Sequence, residues 1–158
     1  MNERGLTLVE VLAVFVITAI IGLVAYSVLF SGFRTYDRVK VEASLRDEAD
    51  LIMSELISEM FVLKESEIDE KQFPESGTKN YYIQTVDGKK TGFIDNKLVI
   101  KDEVKTHVLH NNLIKLGNET KIEEIEPGQY RIVISLVSLE NSQTLTTESE
   151  IGTIKDTK

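Results

Sequence analysis

One carboxylate, Glu10, lies inside a long apolar stretch near the start of this 158-residue chain. Between Leu6 and Phe30 it is the only Asp, Glu, Lys, Arg or His. An ionised carboxylate placed in hydrocarbon costs on the order of several kcal/mol, and such groups are usually paired or functional. Glu10 is therefore the first candidate for a functional residue.

The remaining residue types offer little for catalysis or metal binding. The chain has no Cys, which excludes a thiolate nucleophile, a disulfide framework and a thiolate zinc site. His107 and His110 have no Cys or fixed carboxylate beside them that would complete a metal set. The sequence has no Gly-x-Ser-x-Gly elbow, no glycine-rich phosphate loop and no calcium loop. We therefore predict no catalytic residue, no metal and no cofactor.

The charge balance disfavours a nucleic-acid surface. The net charge is −8, and phosphate neutralisation needs clustered Lys and Arg. The only candidate basic patch is formed by Lys89, Lys90, Lys97, Lys101 and Lys105. We interpret it as a mixed, solvated strand surface and predict no direct nucleic-acid binding.

The element that positions Glu10 is long enough to cross a bilayer. A helix over residues 6–30 would span about 37 Å, against a hydrocarbon core of about 30 Å. A secretory signal peptide is the alternative, since Ala25-Tyr26-Ser27 has the pattern of a small-x-small cleavage site. The length of the apolar run favours a membrane helix, and Tyr26, Phe30, Phe33 and Tyr36 suit a membrane interface.

Residues 5–10, with the sequence GLTLVE, resemble the prepilin cleavage motif of the type IV pilin superfamily. In that motif a short polar leader ends in Gly and is followed by an apolar residue, Thr, Leu, any residue and Glu. The resemblance implies that residues 1–5 form a leader. It also implies that a membrane-embedded prepilin peptidase cuts between Gly5 and Leu6 and methylates the new N-terminus.

Thr7 and Leu8 support this resemblance, whereas Leu6 stands where the superfamily most often has Phe. In a filament of such subunits, the α-ammonium of Leu6 on a neighbouring copy becomes the obvious partner for Glu10, and a buried pair of that kind fixes the axial register. The alternative is that Glu10 reaches the cytoplasmic headgroups, because it lies only about 6 Å of helix from Leu6.

The helix is predicted to continue over residues 31–65. Apolar residues recur there at steps of three and four, which indicates a helical stripe that packs on a sheet: Leu45, Ala49, Ile52, Leu56, Met60 and Leu63. No Pro interrupts residues 1–73. Many pilins have a kinking Pro in the membrane helix, and here Gly22 or Ser31-Gly32 is the candidate for a bend.

After the helix the periodicity changes from helical toward two. Residues 64–80 are predicted to form a loop with a turn at Pro74 to Gly77, and Asp87-Gly88 is a hairpin signal. About five or six antiparallel strands are expected over residues 66–158, of which residues 129–140 form the most convincing one. The predicted class is α+β, with a long N-terminal helix packed on an antiparallel sheet, as in pilins.

Together these features predict a minor pilin or pseudopilin, a non-enzymatic subunit whose partners are prepilin peptidase, other pilin subunits and membrane lipid. It would sit in the cell membrane as a single-pass protein with its C-terminal domain outside, and at the cell surface after assembly. The composition favours a Gram-positive competence pilus for DNA uptake. Two alternatives remain: a single-pass membrane-anchored binding or sensor module, and a secreted enzyme released by cleavage near Ser27.

Overall fold

The computed structural model describes residues 7–73, 80–105 and 112–155. Within these ranges the chain forms one α-helix, α1 (Leu8–Phe61), one short 3-10 helix (Glu65–Glu67) and nine strands. The strands are β1 (Ile68–Gln72), β2 (Tyr81–Thr85), β3 (Lys90–Ile94), β4 (Lys97–Ile100), β5 (Glu103–Val104), β6 (Ile114–Leu116), β7 (Lys121–Glu126), β8 (Gln129–Ser138) and β9 (Thr144–Gly152). The predicted α+β class with a long N-terminal helix on antiparallel strands is confirmed.

Two compact units divide the chain, an N-terminal unit (Met1–Lys40) and a C-terminal unit (Val41–Lys158). Helix α1 contributes residues to both. In the N-terminal unit every described residue is exposed, although most are apolar. The helix runs through Gly22 and Gly32 without interruption.

In the C-terminal unit α1 buries one stripe of side chains. The predicted stripe residues Leu45, Ala49, Ile52, Leu56 and Met60 are all buried, and they form one core with apolar residues of the strands. Full burial of a Leu or Ile side chain contributes about 1.5–3 kcal/mol, so this stripe holds the helix on the strands.

The strands form two antiparallel sheets rather than one. In the first sheet β1 to β5 follow one another in chain order as a meander. In the second sheet β8 is central: β6 and β7 pair with successive parts of one side, and β9 pairs with the other side along its whole length. Strand β8 is the predicted strand of residues 129–140, and its buried Ile132, Ile134 and Leu136 supply much of this sheet's core.

The expected loop over residues 64–80 is wrong in its first part. Helix α1 ends at Phe61 rather than at residue 65, and the polar residues that follow form the 3-10 turn and then β1, which pairs with β2. The middle residues of β1, Asp69, Glu70 and Lys71, are exposed, so this strand shows no apolar alternation in the sequence. The turn predicted at Pro74 to Gly77 lies outside the described residues.

Tight turns connect the meander. The predicted Asp87-Gly88 turn joins β2 to β3, with Gly88 at a φ of 84°. Asp95 and Asn96 join β3 to β4 with φ values of 49° and 60°, which suits the I′ turn of a two-residue hairpin. At Gly92 (φ 146°) a Cβ atom would collide with the carbonyl oxygen of Tyr81, so only glycine lets β2 and β3 approach.

The segment after β9 returns to the end of the helix. The N–H of Glu65 donates to the carbonyl oxygen of Ile154 (3.1 Å), and the N–H of Ile154 donates to that of Leu63 (2.9 Å). These two bonds form a parallel bridge between Lys64 and Ile154. The bridge fastens the last described residues of the chain to the segment that leaves α1.

Candidate functional site

The start of α1 is closed by a capping box made of Thr7 and Glu10. Both the backbone N–H and the hydroxyl of Thr7 donate to Oε2 of Glu10, at 3.0 and 2.9 Å, and the N–H of Glu10 donates back to the Thr7 hydroxyl at 3.3 Å. The carbonyl of Thr7 also accepts the first helical bond, from the N–H of Val11 at 3.2 Å. Thr7 is thus the N-cap and Glu10 the third helical residue of the motif.

This cap explains locally why Thr and Glu occur three residues apart. An uncapped helix start leaves its first N–H groups without partners, and water is absent from the hydrocarbon core to satisfy them. A carboxylate in the first turn also interacts favourably with the helix dipole. The pattern Thr-x-x-Glu before an apolar run is the sequence signal for this capping box, which was not among the predicted features.

Both bonds from Thr7 end on the same carboxylate oxygen. Among the described residues, Oε1 of Glu10 accepts no hydrogen bond. An ionised carboxylate has two oxygens that can each accept more than one hydrogen bond. Glu10 therefore keeps room for a further donor while the cap stays closed.

Of the other predicted site residues, Leu8 is the first residue of α1 and is exposed. Gly5 and Leu6, the predicted cleavage pair, lie outside the described residues, as do His107 and His110. The structure therefore brings together Thr7 and Glu10 and leaves the geometry of the predicted cleavage site untested.

The apolar residues after Glu10 are exposed along the whole N-terminal unit. By length and composition α1 can cross a membrane, and none of its most apolar 18-residue window is buried by the rest of the chain. At the far end of this stretch Tyr26 and Phe30 stack with ring centroids 6.1 Å apart, and the Arg34 guanidinium lies 4.4 Å from the centroid of Phe30. Aromatic residues next to a cation are typical of a membrane interface.

In the C-terminal unit most of the Lys residues of the candidate basic patch have local partners. Lys101 pairs with Glu59 (2.7 Å), Lys89 with Asp87 (3.5 Å) and Lys105 with Glu103 (3.7 Å). The ammonium of Lys90 lies 4.6 Å from the ring centroid of Tyr82. This arrangement supports the interpretation of a mixed surface.

A cleft of about 410 Å³ lies between the end of α1 and the β2–β3 hairpin. Met60, Leu63 and Ile83 contribute to its apolar lining, and Lys101 and Lys89 form the pairs with Glu59 and Asp87 described above. Glu67 accepts a hydrogen bond from the backbone N–H of Lys64, and no nucleophile–base pair is found in the described lining.

One titratable cluster joins the two sheets. Lys71 of β1 pairs with Glu124 of β7 at 2.6 Å, and its ammonium lies 5.4 Å from the ring centroid of Tyr130 of β8. Burial raises the pKa of Tyr130, whose hydroxyl has no hydrogen-bond partner among the described residues. Burial alone would raise the pKa of Glu124, but the hydrogen bonds from Lys71 and from the Gly128 N–H lower it overall.

A charge ladder crosses the second sheet on its exposed side. Arg131 bonds Glu123 on one neighbouring strand (3.2 Å) and Glu150 on the other (2.7 Å), while Lys121 bonds Glu123 at 2.6 Å. The bond from Lys121 lowers the pKa of Glu123, and the bond to Glu150 raises the pKa of Arg131. Within residues 7–73, 80–105 and 112–155 no three His, Cys, Asp or Glu side chains come together as a metal site.

Comparison with known proteins identifies one motif. A profile for the prokaryotic N-terminal methylation motif matches residues 1–26. No characterised protein and no solved structure matches the chain at a significant level. The matched motif and the apolar helix that it includes make the N-terminus of this chain similar to that of type IV pilins, and the helix suits a membrane anchor.

Proposed function

We propose that this chain is a minor pilin or pseudopilin that assembles into a type IV pilus-like filament. Its leader is residues 1–5, its filament-core helix residues 6–30, its amphipathic helix continuation residues 31–61 and its β domain residues 66–158. The observation that carries this proposal is the methylation motif over residues 1–26, which includes the start of an apolar helix that the rest of the chain does not cover.

The exposed apolar half of α1 would lie first in the membrane and then in the filament. In the membrane its side chains face lipid, and in the filament they face the same helices of neighbouring subunits. Because lipid tails are as apolar as these side chains, transfer from lipid to filament depends on packing and on polar contacts rather than on the hydrophobic effect.

Glu10 is the polar contact that sets the register in this proposal. After cleavage behind Gly5, the α-ammonium of Leu6 on a neighbouring subunit would donate to Oε1 of Glu10, the oxygen that Thr7 leaves without a bond. The capping box then persists in the filament. In a misplaced subunit the Glu10 carboxylate would lie in the apolar filament core without an α-ammonium partner, which is strongly destabilising.

Mass spectrometry of the native membrane protein tests the processing step. We expect a chain that begins at Leu6 and carries one added methyl group, and a Gly5→Glu variant that keeps residues 1–5. A wild-type N-terminus that retains Met1 to Gly5 would contradict the proposal.

Assembly is tested by co-expressing tagged variants with the wild-type subunit. We expect Glu10→Ala to be processed and inserted in the membrane but lost from sheared filaments. The matched control is Glu42→Ala, which removes a carboxylate from the exposed surface of the same helix and only breaks its pair with Arg46. Equal incorporation of the two variants would remove Glu10 from its assembly role.

A second candidate is a single-pass membrane-anchored binding or sensor module. It is favoured by the capping box itself, which gives Glu10 a local structural role in a lone helix. This module would keep residues 1–5 and would tolerate Glu10→Ala, so the two experiments above separate the candidates.

The proposal also names the cellular system that the filament would serve. The acidic, Lys-rich and Cys-free composition suggests a Gram-positive competence pilus that takes up DNA, with other subunits supplying DNA contacts. A strain carrying Gly5→Glu should then lose natural transformation while secretion of other proteins is unchanged. The reverse pattern would assign the subunit to a secretion system.

A further inference from the structure

Strand β9 presents a long edge that no other described strand covers. All nine of its residues pair with β8 in one continuous register, from Thr144 opposite Val137 to Gly152 opposite Gln129. Its other side pairs with nothing within the described residues. A free edge of this kind offers unpaired N–H and C=O groups to another extended chain.

The pairing with β8 decides which groups of β9 are free. The hairpin is closed by the N–H of Ser138, which donates to the carbonyl of Gln143, and the N–H of Thr153 donates to the carbonyl of Gly128, both at 2.9 Å. Hydrogen-bonded pairs alternate along an antiparallel ladder, so odd-numbered residues of β9 bond β8. Even-numbered residues therefore point their backbone groups outward, and their side chains are exposed as well: Thr144, Thr146, Glu148, Glu150 and Gly152.

The other sheet edges carry the usual protection against such pairing. Strand β1 has a bulge between Ile68 and Glu70 and three consecutive charged residues, and β5 is two residues long. Strand β7 has a bulge between Glu124 and Glu126. Strand β9 has no Pro, no Lys and no bulge, and its only charged residues are Glu148 and Glu150. Such an edge is open to strand addition by a partner of opposite charge.

We propose that the outer edge of β9 binds an extended segment of another polypeptide that carries Lys or Arg at alternate positions. The choice of partner follows from charge. The carboxylate of Glu148 has no ion pair or hydrogen bond among the described residues, and Glu150 shares its charge only with Arg131. An added strand places a side chain directly opposite each of these residues, where opposite charges are favourable and like charges unfavourable.

The same charges argue against β9 of a second copy as the occupant. In a two-fold antiparallel pair centred on residue 148, Glu148 would face Glu148 of the other chain. A partner strand that alternates Lys with Thr instead meets Glu148 and Glu150 with cations and meets Thr147 and Ser149 with polar side chains on the opposite face. The inference concerns the C-terminal unit alone, so it stands whether or not the chain is processed or assembled.

The test uses the full chain in detergent micelles and a seven-residue peptide that alternates Thr and Lys, with a Thr/Glu peptide as its matched control. Amide hydrogen exchange is measured residue by residue. We expect the Lys peptide to slow exchange at Thr146, Glu148 and Glu150 by about tenfold, while the amides of Thr147 and Ser149, which β8 already protects, change little. The Glu peptide should leave all of them unchanged.

Two variants keep the test decisive. Glu148→Pro removes an outward N–H without removing a bond to β8, and we expect it to abolish peptide binding. Glu148→Lys keeps every backbone group and should weaken the binding of the Lys peptide by about fivefold, because the new ammonium opposes the attraction from Glu150. In the wild-type chain, no slowing with either peptide, or equal binding of both, overturns the proposal. Slowing that rises with protein concentration in the absence of peptide identifies a second copy as the occupant and also overturns it.

Discussion

The two halves of α1 share one unbroken helix but differ in how their apolar residues are arranged. In residues 8–40 apolar side chains occur all round the helix and every one is exposed. In residues 41–61 most of them form one stripe that the chain's own strands bury, whereas Phe61 at the end of the helix is exposed. Periodicity, more than hydrophobicity itself, therefore tells whether a helix finds its partner within its own chain or outside it.

Their polar groups differ in the same way. The second half carries charges such as Asp47 and Asp50 on the solvated side of the stripe, and Glu48 is its one buried charged residue. The first half is apolar on every side up to Phe30, so it has no polar face on which charges could lie. Its carboxylate in this stretch, Glu10, is held in the capping box with Thr7. A helix that is apolar all round can keep an acid only where backbone donors or a partner satisfy it.

The largest expected difference between the two halves of α1 lies in the buried stripe of the second half. Leu56→Ala removes a side chain that is fully buried against the strands, so we expect the free energy of unfolding of the C-terminal unit to fall by about 2–5 kcal/mol. Denaturant titration of the full chain in micelles measures it. The matched control, Leu12→Ala in the first half, should leave this free energy unchanged, and an equal loss there would show that the two halves are not distinct.

The reverse experiment places a charge in the first half. Ile20→Lys should disfavour membrane insertion by about 2.5–3.5 kcal/mol while the unfolding of the C-terminal unit stays as in the wild type. Alkaline extraction of membranes measures the inserted fraction. The control is Ser54→Lys on the exposed side of the second half, and extraction of both variants to the same extent would contradict the assignment of residues 6–30 to lipid.

A smaller effect is expected at the cap. Thr7→Ala removes the hydroxyl that joins the two ends of the capping box, so the first turn of α1 should lose about 1 kcal/mol of stability. Amide exchange at the N–H groups of Val9 and Glu10 measures this loss. Thr18→Ala removes only a hydroxyl that bonds the carbonyl of Val14 in mid-helix, and it should leave these amides unchanged.

The smallest expected effect is the acid response of the C-terminal unit. Hydrogen bonds from Lys121 and Thr85 lower the pKa values of Glu123 and Asp87 below their ordinary values of 4.5 and 3.8. A carboxylate with a lowered pKa in the folded state binds protons more strongly in the unfolded state. These two carboxylates therefore stabilise the folded state at neutral pH, and this stabilisation is lost as the pH falls through their pKa values. Denaturation midpoints between pH 7 and pH 3 should decline below about pH 4.5, and less so in Glu123→Gln.

Most of the fold could be predicted because burial leaves a pattern in the sequence. The stripe of Leu45, Ile52 and Leu56 and the alternation in β8 both reflect faces that pack inward. Strands β1 and β7 were missed because much of each is exposed, as with Glu70 in β1 and Glu126 in β7. The division into two sheets depends on which strands pair, and that information is absent from local periodicity.

The candidate site was predicted only in part. Glu10 was singled out because a lone acid in an apolar helix needs a partner, and Thr7 was noted as part of a motif. Their mutual bonds follow from the three-residue spacing at the start of a helix and could have been predicted. The exposed edge of β9 could be predicted as well, since the polar residues of this segment, with Thr and Glu, are typical of an edge strand.

The bridge between Lys64 and Ile154 has a mechanical consequence. If a load pulls on the chain beyond residue 155 while α1 is held, the force first reaches the bonds that join Ile154 to Leu63 and Glu65. Both must break before β9 can separate from β8, so the bridge delays the loss of this strand under force. Pulling on a tether fused after residue 158 would therefore break these two bonds before it separates β9 from the sheet.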